Sequence, residues 1–85
     1  MQIQTFKVFC DLAETESFSK AAERNGITQS AVSQQVRAIE DQFHVRLIDR
    51  GRRAFCLTPE GQAFLASSRE IVGAYDELGQ RMQKL

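Results

Sequence analysis

The chain has 85 residues, 42 % of them apolar, and its 11 basic residues balance 11 acidic ones. That length gives one small domain with a modest core and marginal stability on its own. It has no apolar run long enough for a membrane span and no basic-then-apolar leader, and its only metal-binding candidates of soft type, Cys10, Cys56 and His44, are too few for a zinc site.

The neutral total conceals a local excess. Residues 1–45 sum to −2, residues 46–53 to +3, and residues 54–85 to −1. The excess comes from Arg46, Arg50, Arg52 and Arg53 against Asp49. Surface potential follows such clusters rather than the sum. The two cysteines carry no metal spacing and read as small, buried, reduced residues of a cytosolic protein.

Residues 2–14 form the first predicted helix. Ile3, Phe6, Cys10 and Ala13, with Phe9 alongside, recur at helical spacing and are expected to face the core. Ser17 is a good N-cap for a short second helix, Phe18 to Asn25, with Phe18, Ala21 and Ala22 inside. Asn25-Gly26 is a stop signal, Ile27 a buried anchor, and Thr28 the cap of a third helix that runs to Phe43.

Helix, tight turn with glycine, helix is the pattern of a helix-turn-helix. The third helix has two faces. Val32, Val36, Ile39 and Phe43 make an apolar stripe, while Ser30, Ser33, Gln34, Arg37 and Asp41 lie roughly opposite. A solvated face is usually rich in Lys and Glu. Small hydroxyls and amides, which both give and accept hydrogen bonds, suit insertion into a DNA major groove. The rival reading is an αα-corner with no DNA role.

Val45 to Arg50 and Ala54 to Leu57 read as two short strands around a Gly51-Arg52-Arg53 tip. A hairpin there is a wing, and its arginines can meet phosphates or a minor groove. The rival is a solvated loop whose arginines hold the carboxylates of the C-terminal tail. Thr58-Pro59-Glu60 then starts a fourth helix, with cap, proline at the first helical position and an acid at the positive end. It spans residues 59–85, roughly 40 Å at ~1.5 Å per residue. Phe64, Ile71, Tyr75, Leu78, Met82 and Leu85 follow the four-and-three alternation of a coiled-coil seam. Pairing with a second copy is expected; folding back on its own domain is the alternative. The fold class is therefore mainly α: a winged helix-turn-helix over 1–58, with three helices and a two-stranded wing, and a dimerisation helix over 59–85.

These residues carry a family resemblance. The chain resembles the N-terminal DNA-binding part of LysR-type transcriptional regulators along nearly its whole length. The anchors are Phe6 and Phe9; Ser17 to Arg24; Ile27 to Glu40; Val45 to Arg50; and Leu57-Thr-Pro-Glu-Gly61. The resemblance implies a bacterial, cytoplasmic transcription factor that binds a partly palindromic promoter site on double-stranded DNA. It implies a homodimer through the linker helix, with a tetramer possible at full length. Gln29, Ser30, Ser33 and Gln34 stand at the base-reading positions, with Thr28 capping nearby and Arg37 on the same face. The wing arginine of the family falls on Arg53, with Arg50 and Arg52 as phosphate contacts.

Ser30 stands where relatives often carry proline, and Gln34 where they often carry arginine. Arginine favours guanine and glutamine adenine, so base preference is expected to differ. Gly51 lies one position before the usual glycine of the wing. Full members also carry an effector-binding domain, so this chain is expected to be a fragment with no cofactor of its own and a small-molecule effector bound elsewhere.

Two other classes compete. A protein–protein module is compatible with the neutral charge, but the Gly-Arg-Arg tip and the uncharged helix face speak against it. An enzyme is not expected, because no nucleophile–base set or phosphate-cradling glycine loop is present. His44 reads as a surface residue at the end of the third helix.

Overall fold

A computed structural model describes all residues, Met1–Leu85. Four helices form: α1 (Ile3–Thr15), α2 (Phe18–Asn25), α3 (Gln29–Phe43) and α4 (Pro59–Lys84). Local chemistry sets most of their ends. Ser17 accepts a hydrogen bond from the Lys20 N–H, Thr28 from the Ala31 N–H and Thr58 from the Gly61 N–H. Each cap satisfies a donor that has no partner inside its helix. Gly26 ends α2 at φ +63°, where a side chain is strained. Its N–H closes on Glu23, and the Ile27 N–H bonds Ala22 O at 3.1 Å.

The core joins all four helices. Val8, Phe9 and Leu12 of α1 meet Ala21 and Ala22 of α2, Val32, Val36 and Ile39 of α3, and Leu65 of α4. The buried face of α1 is therefore shifted from the expected one, with Phe9 buried as expected but joined by Val8 and Leu12. Cys10 and Ala13 are only partly buried at its margin, as are Ile3 and Phe6. The reason is that α2 and α4 both pack on α1, and the helix turns the face between them inward.

A polar clamp fixes the angle between α1 and α2. Asn25 Nδ2 donates to Asp11 Oδ2 and to Ala21 O, both at 2.8 Å, while Asn25 Oδ1 accepts from Gln4 Nε2 at 2.8 Å. Both cysteines are free and half-buried. Burial pushes the Cys10 thiol up, against the opposing pull of Arg69 and with added push from Asp11 and Glu14.

Phe43 departs from expectation. It ends the apolar stripe of α3 yet stays 51 % exposed. The chain leaves the helix at His44, an exposed residue in the left-handed region (φ 55°), and one face of the Phe43 ring stays open while Phe64 lies beside the other.

The two expected strands do not form. Residues 45–58 are an irregular connector with one antiparallel bridge, Ile48 to Leu57. Two main-chain bonds support it, Asp49 N to Cys56 O at 2.9 Å and Thr58 N to Leu47 O at 3.0 Å. The Thr58 hydroxyl also donates to Arg46 O. Competing bonds shorten the ladder. The Leu47 N–H goes to Glu40, the Asp49 carboxylate turns back to the Gly51 N–H, and α4 begins at Pro59 immediately after the bridge.

The first turns of α4 belong to the same core. Leu65 and Ser68 are buried, and the Ser68 hydroxyl donates to Phe64 O at 2.7 Å. Phe64 stacks on Phe6 at 5.9 Å, meets the edge of Phe9 at 5.0 Å and touches Phe43 at 6.4 Å between ring centroids. Beyond Tyr75 the helix leaves the head, and the molecule measures 49 × 24 × 20 Å. No helix is long and apolar enough to cross a membrane.

A β-carbon added at Gly73 or Gly79 would meet nothing within 4 Å. Alanine at either position is therefore expected to raise helix stability by up to ~1 kcal/mol. Thermal unfolding with circular dichroism checks this. A fall in the midpoint at fixed protein concentration would mean that the glycine lies against a second chain.

Candidate nucleic-acid interface

The face of α3 opposite the core is open. Val32, Val36 and Ile39 are at most 2 % exposed, so the helix cannot rotate without losing its core contacts. That rotation fixes which side chains look outward. Thr28, Gln29, Ser30, Gln34 and Arg37 are exposed, and Ser33 is half-buried at the edge. The Thr28 side chain is already committed, since its hydroxyl oxygen holds the Ala31 N–H at 3.0 Å. Its role is to start the helix, and the N-terminal turn it fixes presents Gln29 and Ser30.

The four arginines of residues 46–53 differ in their surroundings. Arg50 Nη1 lies 3.2 Å from Glu40 Oε1, and Arg46 Nη1 lies 3.9 Å from the same oxygen. Arg52 Nε lies 3.3 Å from Asp49 Oδ2. Arg53 is exposed and joins none of these pairs. The arginines thus do find carboxylates, but those of α3 and of the connector itself, not those of the C-terminal tail.

Glu40 was missed by the sequence reading. It is 4 % exposed, and its Oε2 accepts from the Leu47 N–H at 2.8 Å. A signal existed. Glu40 lies four residues after Val36 and eight after Val32, on the apolar stripe. A charged residue at such a position has to find partners.

The expected dimerisation residues fall into two groups. Phe64 is half-buried among aromatic rings of its own chain. Ile71, Tyr75, Leu78, Met82 and Leu85 are exposed by 40, 51, 54, 57 and 98 %. Lys7 Nζ sits 5.4 Å from the Tyr75 ring centroid, the outermost of the aromatic contacts between the head and α4.

A short α2, a glycine turn, and an α3 buried on one side and open on the other make a helix-turn-helix domain. Comparison with known proteins places it further. Residues 3–62 match the family model described as the bacterial regulatory helix-turn-helix protein, lysR family. The chain belongs to that family. The HTH-type transcriptional regulator YnfL of Escherichia coli (strain K12) is 36 % identical over 85 residues, all of this chain and 29 % of YnfL. The HTH-type transcriptional activator AllS of Klebsiella pneumoniae is 37 % identical over 82 residues, 96 % of this chain and 30 % of AllS. The chain thus spans less than a third of either relative.

Solved structures agree in fold. The complex of BenM DBD with catB site 1 DNA matches with a TM-score of 0.91 at 27 % identity, covering 99 % of this chain and 94 % of that one. The CbnR DBD–DNA complex matches with a TM-score of 0.86 at 31 % identity, covering 99 % and 97 %.

Proposed function

We propose that this chain is the DNA-binding part of a longer cytoplasmic transcriptional regulator, and that it binds double-stranded DNA as a symmetric dimer. The observation that carries the reading is the open face of α3. Its core-facing side is sealed, and its N-terminal half offers Gln29, Ser30, Ser33 and Gln34 to a partner. Amides and hydroxyls in that position match the donor and acceptor pattern of base edges. The DNA complexes of the similar BenM and CbnR domains support the same use of the fold. Two α3 helices would occupy successive major grooves, with half-sites about 10 bp apart. Arg53 would add attraction for phosphates or a minor groove. A small effector would act through a part of the regulator outside this domain.

Fluorescence anisotropy on two duplexes tests this. One is a two-fold symmetric site from the gene's own upstream region, the other its scrambled counterpart, each at two salt concentrations. Tight binding to the first and weak, salt-sensitive binding to the second is expected. Equal affinity would remove sequence specificity from the proposal, and no binding at low salt would remove DNA.

Gln29→Ala is expected to lower discrimination at particular base pairs by about 1–3 kcal/mol per half-site. Arg53→Ala is expected to weaken both duplexes and reduce the logarithmic salt slope by about 0.9 per subunit. The same titrations check both, and equal losses on both duplexes for both variants would contradict this division of roles.

A further inference from the structure

We infer that Glu40 is a positioning residue for DNA binding, and that Arg50 serves as its intramolecular partner rather than as a phosphate ligand. The inference rests on the proposed role of the 50–53 tip at DNA.

Glu40 lies in the last turn of α3 and is 4 % exposed. A buried carboxylate is tolerated only when charge and hydrogen bonds compensate it. Both of its oxygens are used. Oε2 accepts from the Leu47 N–H at 2.8 Å, and Arg50 Nη1 reaches Oε1 at 3.2 Å and Oε2 at 3.4 Å. The residue's main-chain oxygen accepts the Val45 N–H at 3.1 Å. One residue of the recognition helix therefore holds the connector at residues 45, 47 and 50. Those three bonds fix the direction in which the arginine tip leaves α3.

The same contacts divide the local charge. Glu40 neutralises Arg50, and Asp49 pairs with Arg52. Arg53 is left as the unpaired cation at the tip. A phosphate that drew Arg50 away would leave the Glu40 carboxylate buried with one N–H donor and only the solvent-exposed Arg46 guanidinium, 3.9 Å from Oε1, to balance its charge. That penalty keeps Arg50 on Glu40 when DNA is bound.

The test compares the salt slope of binding, on the symmetric and scrambled duplexes, for Arg50→Gln, Glu40→Gln, the double variant and Arg53→Gln. Thermal unfolding of each variant is measured alongside. Arg53→Gln is expected to lower the slope by about 0.9 per subunit. Arg50→Gln is expected to leave the slope at its parental value. Glu40→Gln keeps an oxygen for the Leu47 N–H but releases Arg50. Its slope is expected to rise by up to about 0.9 per subunit. Its discrimination between duplexes is expected to fall about tenfold, comparable to losing one good base contact. The double variant should return the slope to the parental value.

A slope drop for Arg50→Gln equal to that of Arg53→Gln would overturn the inference. Should Arg50→Gln fail to fold, Glu40→Gln decides alone, and an unchanged slope with unchanged discrimination overturns it. Absence of binding by the parent chain would defeat the DNA reading, and with it the role given to Glu40.

Discussion

Gly61→Ala is expected to destabilise the domain by about 2 kcal/mol or more. A β-carbon at Gly61 would lie 2.1 Å from Leu47 O, 3.0 Å from Leu47 C and 3.2 Å from Leu57 Cβ. The first two are main-chain atoms with little room to move. Leu47 is 1 % exposed, its N–H is held by Glu40, and its oxygen accepts the Thr58 N–H at 3.0 Å. Moving α4 away would break the bonds that tie its N-cap to the connector, from the Thr58 N–H to Leu47 O and from the Thr58 hydroxyl to Arg46 O. A β-carbon 2.1 Å from a main-chain oxygen belongs at or above the upper end of the ~1–3 kcal/mol that overpacking costs. Alanine's better helix propensity offsets only ~1 kcal/mol of it. For a domain of this size the unfolding midpoint should fall by roughly 8–16 °C. Circular dichroism at one protein concentration measures it. An unchanged midpoint would mean that α4 can slide off Leu47 at no cost. The contrast with Gly73 and Gly79, where alanine is expected to stabilise, makes the three glycines a matched set.

The second large effect concerns the proposed dimer. Leu78→Glu is expected to convert it to monomer and to weaken binding to the symmetric duplex by about 100-fold or more. The apolar stripe from Ile71 to Leu85 is 40–98 % exposed, with Ile71 at a cavity shared with Met1, Phe6 and Phe43 of the head and Tyr75 under Lys7. Its four-and-three alternation suits knobs-into-holes packing on a second helix. Two-fold symmetry would introduce the carboxylate twice, each in a seam without a cation at the same position. DNA affinity then falls because two half-site contacts no longer share one linkage, and such coupling is worth ~10²–10⁴ in affinity. Sedimentation of parent and variant gives the oligomeric state, and anisotropy gives the affinity. Gln80→Glu, on the other side of α4, is the control and should leave both unchanged. A monomeric parent at micromolar concentration, or a dimeric Leu78→Glu, would refute pairing through this stripe.

The helix ends were legible in the sequence because caps are local. Ser17, Thr28 and Thr58 each reach a donor three residues ahead, and Gly26 needs only its own backbone angle. The two-faced pattern of α3 was legible for a related reason. Residues three and four apart share a face whatever the helix packs against. The core face of α1 was legible only at Phe9, since two apolar stripes compete on that helix and neighbouring α2 and α4 select between them.

The sequence by itself determined the four helices, the starts of α2, α3 and α4, the turn before α3 and the uncharged N-terminal half of the face that α3 presents. All of these depend on contacts within about four residues. Only the tertiary structure decided how the segment after α3 is held. Partnering of Glu40 with Leu47 and Arg50, 7 and 10 residues away, replaced two strands by a single bridge. The need for glycine at position 61 comes from a carbonyl 14 residues earlier in the chain, at Leu47. Such demands arise when separate segments meet at fixed distances, and local spacing carries no trace of those distances.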